Sequence, residues 1–232
     1  MYKWLKKYID PIISLDCILP LLSCFALNMI VYSGAIAITE NRYKYDFTTS
    51  FFDEKVPVIT WTVYIYLGCY LFWIANYILV RRLGKEHFYR FVTADMLSRL
   101  VCGLFYIIIP TTNIRPDIVG GALSDTLMRF LYSVDAATNL FPSIHCLVSW
   151  FCYIGIRGKK EIPAWYRAFS CIFAIAVMIS TQTTKQHYVV DVIGGVILAE
   201  VLYYISGHCS LYRYVMRFYD GIHAKIEKRF KK

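Results

Sequence analysis

Charge is scarce in this chain and unevenly placed, and several stretches of about 20 residues pass almost without it. That scarcity excludes an ordinary soluble domain. Hydrophobic residues make up 58% of the 232 positions and the mean hydropathy is +0.47, against roughly 45–50% apolar residues in soluble proteins. Paired cysteine spacing is also missing. The eight cysteines (17, 24, 69, 102, 146, 152, 171 and 209) form no CxxC and no secreted-scaffold pattern, and they read as buried free thiols. No small-residue cleavage site follows Lys3, Lys6 and Lys7, so the first apolar run reads as a full-length span and not a cleaved signal. There is no internal repeat and no low-complexity segment. No Asn-x-Ser/Thr occurs in the expected outer loops, which is compatible with a bacterial plasma membrane.

What is there is a polytopic membrane protein. A hydrocarbon core about 30 Å thick takes about 20 helical residues to cross, and six candidate spans fit: Cys17–Ile38, Val58–Val80, Thr93–Ile109, a short one at Ser143–Ile156, Trp165–Ile179 and Tyr188–Ile205. Lys and Arg outnumber Asp and Glu by 25 to 16. In a soluble protein a charge of +9 would suggest nucleic acid. Here the basic residues fall in blocks between and after apolar runs, as topogenic loops do, and nucleic acid is not expected as a partner. The blocks at the N-terminus, 81–90, 157–167 and the tail from Arg213 to Lys232 (Arg217, Lys225, Lys228, Arg229, Lys231 and Lys232 among them) share one side, taken as cytoplasmic. The expected fold is therefore all-α: six transmembrane helices in one bundle without a second domain, both termini inside. The tail is expected to lie near anionic headgroups. The aromatics of the second span (Trp61, Tyr64, Tyr66, Tyr70 and Trp73) read as helix packing. Thr111–Phe141 is a long connection with a short helix expected at about Leu123–Tyr132, and connections of that length are usually functional or disordered.

Charge patterning alone puts Arg115 and the starts of spans four and six on one outer face, and these positions carry chemistry. His187 and Asp191 stand i, i+4 at a helix start, on one face. A carboxylate on one ring nitrogen fixes the tautomer and leaves the other nitrogen as a nucleophile. His145, in the first turn of span four, is the complementary proton donor. Two histidines among cations suit a phosphoryl group. Arg115 can bind two phosphate oxygens, Ser143 and the helix start after Pro142 add donors, and Lys185 is a further candidate. Each signal alone has a plainer explanation: an interface histidine, a helix start, a loop dipeptide. Their convergence on one face of a membrane protein, where ionisable groups are costly unless paired or functional, favours a site. A metal held by His145, His187 and Asp191 lacks a fourth ligand and a second carboxylate and is not expected.

At these residues the chain resembles the type 2 phosphatidate phosphatase superfamily, membrane lipid phosphatases related to vanadium haloperoxidases. Its blocks run Lys-x6-Arg-Pro, Pro-Ser-x-His and Ser-Arg-x5-His-x3-Asp. The resemblance covers about 93–205, the expected catalytic core. It implies His187 as nucleophile, Asp191 as its orienting partner, His145 as general acid, Arg115 and Ser143 as phosphate ligands, a six-helix bundle, and no cofactor or metal. Two positions depart from the pattern: Ile108 stands at the first-block lysine and Thr181 at the third-block arginine. Phe141-Pro-Ser-x-His145, Pro110-Thr-x3-Arg115-Pro and Asp53-x3-Pro57 resemble the branch that contains the inositol phosphorylceramide synthases, in which an alcohol accepts the phospho-headgroup.

The function expected is hydrolysis of a lipid phosphomonoester or pyrophosphate at the outer membrane face, through a phosphohistidine. The alternatives are transfer of a phospho-headgroup to an alcohol and, in a different class, a non-catalytic lipid phosphate carrier. Expected partners are the lipid phosphate substrate and membrane lipids.

Overall fold

Inside lipid, a chain segment satisfies its backbone groups by forming a helix. The computed structural model describes residues 2–8, 10, 13–49 and 51–230, and it is built almost entirely of helices. These are α1 (Tyr2–Tyr8), α2 (Leu15–Thr39), α3 (Val63–Arg82), α4 (Lys85–Ile108), α5 (Leu123–Val134), α6 (Ile144–Ile154), α7 (Ala164–Thr183), α8 (Val189–His208) and α9 (Leu211–Phe230). Two short strands, β1 (Tyr45–Asp46) and β2 (Thr111–Thr112), pair in parallel. Met1, Lys231 and Lys232, counted above in the terminal basic blocks, lie outside the described residues.

Among the described residues, five segments are long and apolar enough to cross a membrane: α2, α3 with the turn before it (Thr60–Arg82), α4, α7 and α8. The segment expected as the fourth span forms α6, whose 11 residues rise only about 16 Å against a hydrocarbon core of roughly 30 Å. The third span starts earlier than expected. Lys85 to Tyr89 already belong to α4, because Phe88, Tyr89, Phe91 and Val92 carry the buried face on through the basic stretch. The connection from α3 shrinks to a tight turn at Gly84, whose φ of 119° favours glycine.

Helix α4 is central and packs against α2, α3, α6, α8 and α9, while α6 is wrapped by α3, α7 and α8. The α6–α8 contact decides where the site forms. A Cβ on Gly195 would lie 2.6 Å from the Ser143 carbonyl oxygen, so the two backbones touch there with no side chain between them.

The bundle has two chemically distinct ends. At one end Arg81 pairs with Asp16 at 2.7 Å, Lys85 with Asp220 at 2.6 Å and Arg157 with Glu200 at 2.8 Å. The His87 ring reaches the Gly155 carbonyl at 2.7 Å there, which ties the last turn of α6 to the first of α4. At the opposite end the Tyr106 hydroxyl donates to the Pro142 carbonyl at 2.8 Å, and β1 and β2 join the loops before α3 and α5. The candidate residues named above lie at this second end.

Candidate active site

Two loops that precede helices bring the histidines together. The first is Leu140–Ser143, whose Leu140 and Phe141 amides both donate to Thr111 Oγ1, at 2.9 and 3.1 Å. Thr111 of the Pro110-Thr-x3-Arg115-Pro pattern thus holds the backbone of the Phe-Pro-Ser segment. Ser143 is fully buried and caps α6, its hydroxyl accepting from the Cys146 amide at 3.3 Å. Its own amide donates to the Asp191 carbonyl at 3.1 Å, joining the start of α6 to the first turn of α8.

The second loop is Thr184–Tyr188. It turns back sharply at Lys185, with φ 51°, and the Gln186 and His187 amides both donate to the Thr181 carbonyl, at 2.9 and 3.1 Å. Asp53 clamps it from outside. One carboxylate oxygen accepts from the Val189 amide at 2.8 Å and the other from the Thr49 amide at 2.9 Å. Asp53 is 4% exposed, and its carbonyl accepts from Lys185 Nζ at 2.9 Å. Burial lowers the Lys185 ammonium below the usual lysine range, and the nearby Asp53 carboxylate opposes that effect.

His187 Nδ1 lies 3.4 Å from Asp191 Oδ2, and that oxygen also accepts from the Tyr188 amide at 2.8 Å. The contact is longer than a charge-assisted hydrogen bond, as catalytic pairs often are before substrate binds. The His145 and His187 ring centroids are 6.1 Å apart. The rings are neighbours across the α6–α8 junction, inclined by 52°, and the start of α6 adds a dipole favourable to an anion.

Arg115 joins this group through one intermediary. Its guanidinium donates to Gln186 Oε1 at 2.7 Å and to the Asp135 carbonyl at 2.5 Å, and it stacks on the Tyr132 ring at 5.0 Å. Tyr132 in turn donates to the Thr184 carbonyl at 2.9 Å, and burial raises its hydroxyl to about 12, so it stays a neutral donor. Arg115 Nε is buried without a protein partner. The structure therefore brings His145, His187, Asp191 and Ser143 into one cluster, with Arg115 one residue away through Gln186. The Lys185 amine is directed to the Asp53 carbonyl at the rim.

The two departures from the phosphatase pattern have clear structural correlates. Ile108, 65% exposed, points out of the last turn of α4, and Thr181 is fully buried with its hydroxyl donating to the Met178 carbonyl at 2.7 Å. Neither position supplies a cation.

Several residues of the site carry no short motif. Tyr66 stacks on the His145 ring at 4.4 Å, with its hydroxyl 3.3 Å from Nδ1. The Tyr70 hydroxyl is 3.3 Å from Nε2, and the Trp73 ring centroid is 5.5 Å from that of His145. Tyr66, Tyr70 and Trp73 are spaced i, i+4, i+7 on α3, so the aromatic stripe taken above for helix packing forms a wall around His145. The spacing was the available signal. Asp135 also belongs here, receiving the Tyr32 hydroxyl at 2.7 Å and the Tyr66 hydroxyl at 3.5 Å.

The uncharacterized protein MJ0662 of Methanocaldococcus jannaschii is 27% identical over 157 residues, which are 63% of this chain and 58% of that protein. The chain thus spans less than two thirds of that relative's length. No solved structure matches. The PAP2 superfamily profile matches residues 45–205, which contain β1, the aromatic wall, Arg115 and both histidine-bearing helix ends. With more than half of its length matched, the chain belongs to the PAP2 superfamily, that of the type 2 phosphatidate phosphatases.

Proposed function

We propose that this protein is a membrane lipid phosphatase that works through a phosphohistidine at His187. The single observation that carries this reading is the neighbouring pair of imidazoles, with centroids 6.1 Å apart, a carboxylate against one of them and the Arg115 guanidinium one residue away through Gln186. Family membership supports a phosphatase-like action on lipid phosphates in general.

In this reading His187 Nε2 attacks the phosphorus as the bond from phosphorus to the ester oxygen breaks. His145 gives a proton to that departing oxygen. Asp191 holds the Nδ1 proton of His187 and steadies the positive charge that grows on the ring. Water then attacks the phosphohistidine, the P–N bond breaks, His145 takes back a proton, and phosphate leaves. Arg115 and the start of α6 with Ser143 neutralise the phosphoryl oxygens, with Lys185 an outlying cation at the rim.

The split between a basic end and a site end supports a six-pass orientation. α6 with its flanking turns makes the fourth pass, both termini are cytoplasmic, and the site faces the extracytoplasmic side.

A second reading is favoured by one specific observation. With Ile108 and Thr181 at two positions where the family pattern has cations, the site holds less fixed positive charge than a phosphomonoester dianion calls for. A singly charged phosphodiester needs less. That favours transfer of a phospho-headgroup from a phospholipid to an alcohol, with the alcohol in the place of water.

Radiolabelled lipid assays in mixed micelles separate these readings. The probes are dioctanoyl phosphatidate and a headgroup-labelled phosphatidylinositol, each with and without added ceramide and polyols. Release of inorganic phosphate alone supports hydrolysis, and a new labelled lipid supports transfer. No product from either lipid, with binding unchanged in His187→Ala, would leave a carrier.

A further inference from the structure

We propose that Asp135 is a positioning residue for proton donation by His145, acting through the Tyr66 hydroxyl, and that it holds His145 with its proton on Nδ1. The catalytic part rests on the phosphohistidine reading; the tautomer part stands without it.

The geometry is a chain of three groups from three parts of the fold. Asp135, just past the end of α5, receives two tyrosine hydroxyls, from Tyr32 of α2 at 2.7 Å and from Tyr66 of α3 at 3.5 Å. A carboxylate only accepts and is charged, which favours the Tyr66 proton lying toward Asp135 over the neutral imidazole. The Tyr66 oxygen then offers a lone pair to its next neighbour, His145 Nδ1 at 3.3 Å. With the Tyr66 proton so placed, that nitrogen is the N–H of a neutral ring, leaving the Nε2 lone pair for the Tyr70 hydroxyl, also at 3.3 Å.

The two ring nitrogens thus differ in role. Tyr66 is fully buried whereas Tyr70 is 47% exposed, so Nδ1 faces protein and Nε2 faces the open side, where a substrate oxygen can replace the Tyr70 hydroxyl. When the ring is an imidazolium, the proton on Nε2 is the transferable one. In the step it serves, the Nε2–H bond breaks, its electron pair stays on Nε2, and the proton joins the oxygen released from phosphorus. Nδ1–H remains on Tyr66 throughout. The ring is further fixed by stacking on Tyr66 and by the tilted Trp73, and the Trp73 indole donates to Ser149 on α6 at 2.9 Å. Arg115 holds the Asp135 backbone carbonyl, so the phosphate-side cation and the proton-side carboxylate share one anchor.

The test uses the full chain in detergent, with Tyr66→Phe, Asp135→Asn and the double variant. The first measurement is nitrogen-15 NMR of histidine-labelled protein, with His145 among the five histidines identified by the signals lost in His145→Gln. Wild type is expected to show Nδ1 protonated and Nε2 unprotonated, and both single variants are expected to move the proton toward Nε2. An Nε2–H tautomer in wild type, or a tautomer that neither variant changes, overturns the proposal whether or not the protein turns over substrate.

The second measurement compares kcat and KM on dioctanoyl phosphatidate, a poor leaving group, and on p-nitrophenyl phosphate, a good one. Each variant should lose about 10²-fold in kcat on the first and less than about threefold on the second, with KM unchanged, because a good leaving group needs no proton. The double variant should match the singles, as members of one chain do. Equal losses on both substrates, or additive losses, would make these residues merely structural and overturn the catalytic role. If wild type turns over neither probe while the tautomer is as expected, the phosphatase reading fails and the positioning of His145 stands.

Discussion

The imidazoles of His145 and His187 are neighbours with centroids 6.1 Å apart and planes inclined by 52°. Reacting atoms approach to about 3–3.5 Å before reaction, and rings this close can both reach one phosphoryl group. Replacing His187 by Ala should lower turnover by about 10⁴-fold or more, as removal of a nucleophile does. Replacing His145 by Ala should cost about 10²–10⁴-fold on a lipid ester. The two are told apart by trapping with an activated aryl phosphate: the His145 variant should still acquire an acid-labile phosphoryl label, and the His187 variant should not.

Asp191 has two duties, toward the His187 ring at 3.4 Å and toward the Tyr188 amide at 2.8 Å. Asn can keep the second, since its carbonyl oxygen still accepts, but it lacks the charge that steadies the imidazolium. Asp191→Asn should therefore lower kcat by about 10²-fold or more while leaving the thermal unfolding midpoint nearly unchanged. A large fall in the midpoint with modest kinetic loss would show that capping is its main task.

At Arg115 a fork-shaped guanidinium reaches two acceptors on different segments, Gln186 and Asp135. Lysine has a point charge and cannot span them. Arg115→Lys should raise KM for a lipid phosphate by about 10-fold, and Arg115→Ala by about 10–100-fold, the range expected for a lost charge-assisted hydrogen bond. Steady-state kinetics in mixed micelles reads both.

Gly195 makes a close backbone contact near the site. An added methyl would meet the Ser143 carbonyl oxygen at 2.6 Å, a backbone atom that cannot rotate away. Gly195→Ala should cost about 1–3 kcal/mol, seen as an earlier thermal transition in detergent. Gly207, with nothing near its built Cβ, is the control: Gly207→Ala should leave the transition where it is or raise it slightly.

Much of this architecture could be read along the chain because lipid imposes a simple rule. Long apolar segments become helices, and charge marks their ends, which is why α2, α3, α7 and α8 fall within a few residues of expectation. The start of α4 is less legible, since Lys85, Glu86 and Arg90 look like a loop while Phe88, Tyr89, Phe91 and Val92, among and just after them, are buried. Within the site, His145, His187, Asp191, Ser143 and Arg115 are visible as short-range patterns. The support for His145 is less so: the α3 stripe with Tyr66 shows as a spacing without a target, and Asp135 meets the Tyr66 hydroxyl only through folding. The aim of the Lys185 side chain depends on a left-handed turn that places its amine against Asp53. That turn leaves no mark in the order of residue types beyond the Asp53-x3-Pro57 pattern.

The bare backbone contact between Gly195 and Ser143, reinforced by the Ser143 amide on the Asp191 carbonyl, has a mechanical consequence. The two helix ends that carry the histidines are riveted into one rigid piece, so the distance between the rings cannot serve as the gate through which a lipid enters.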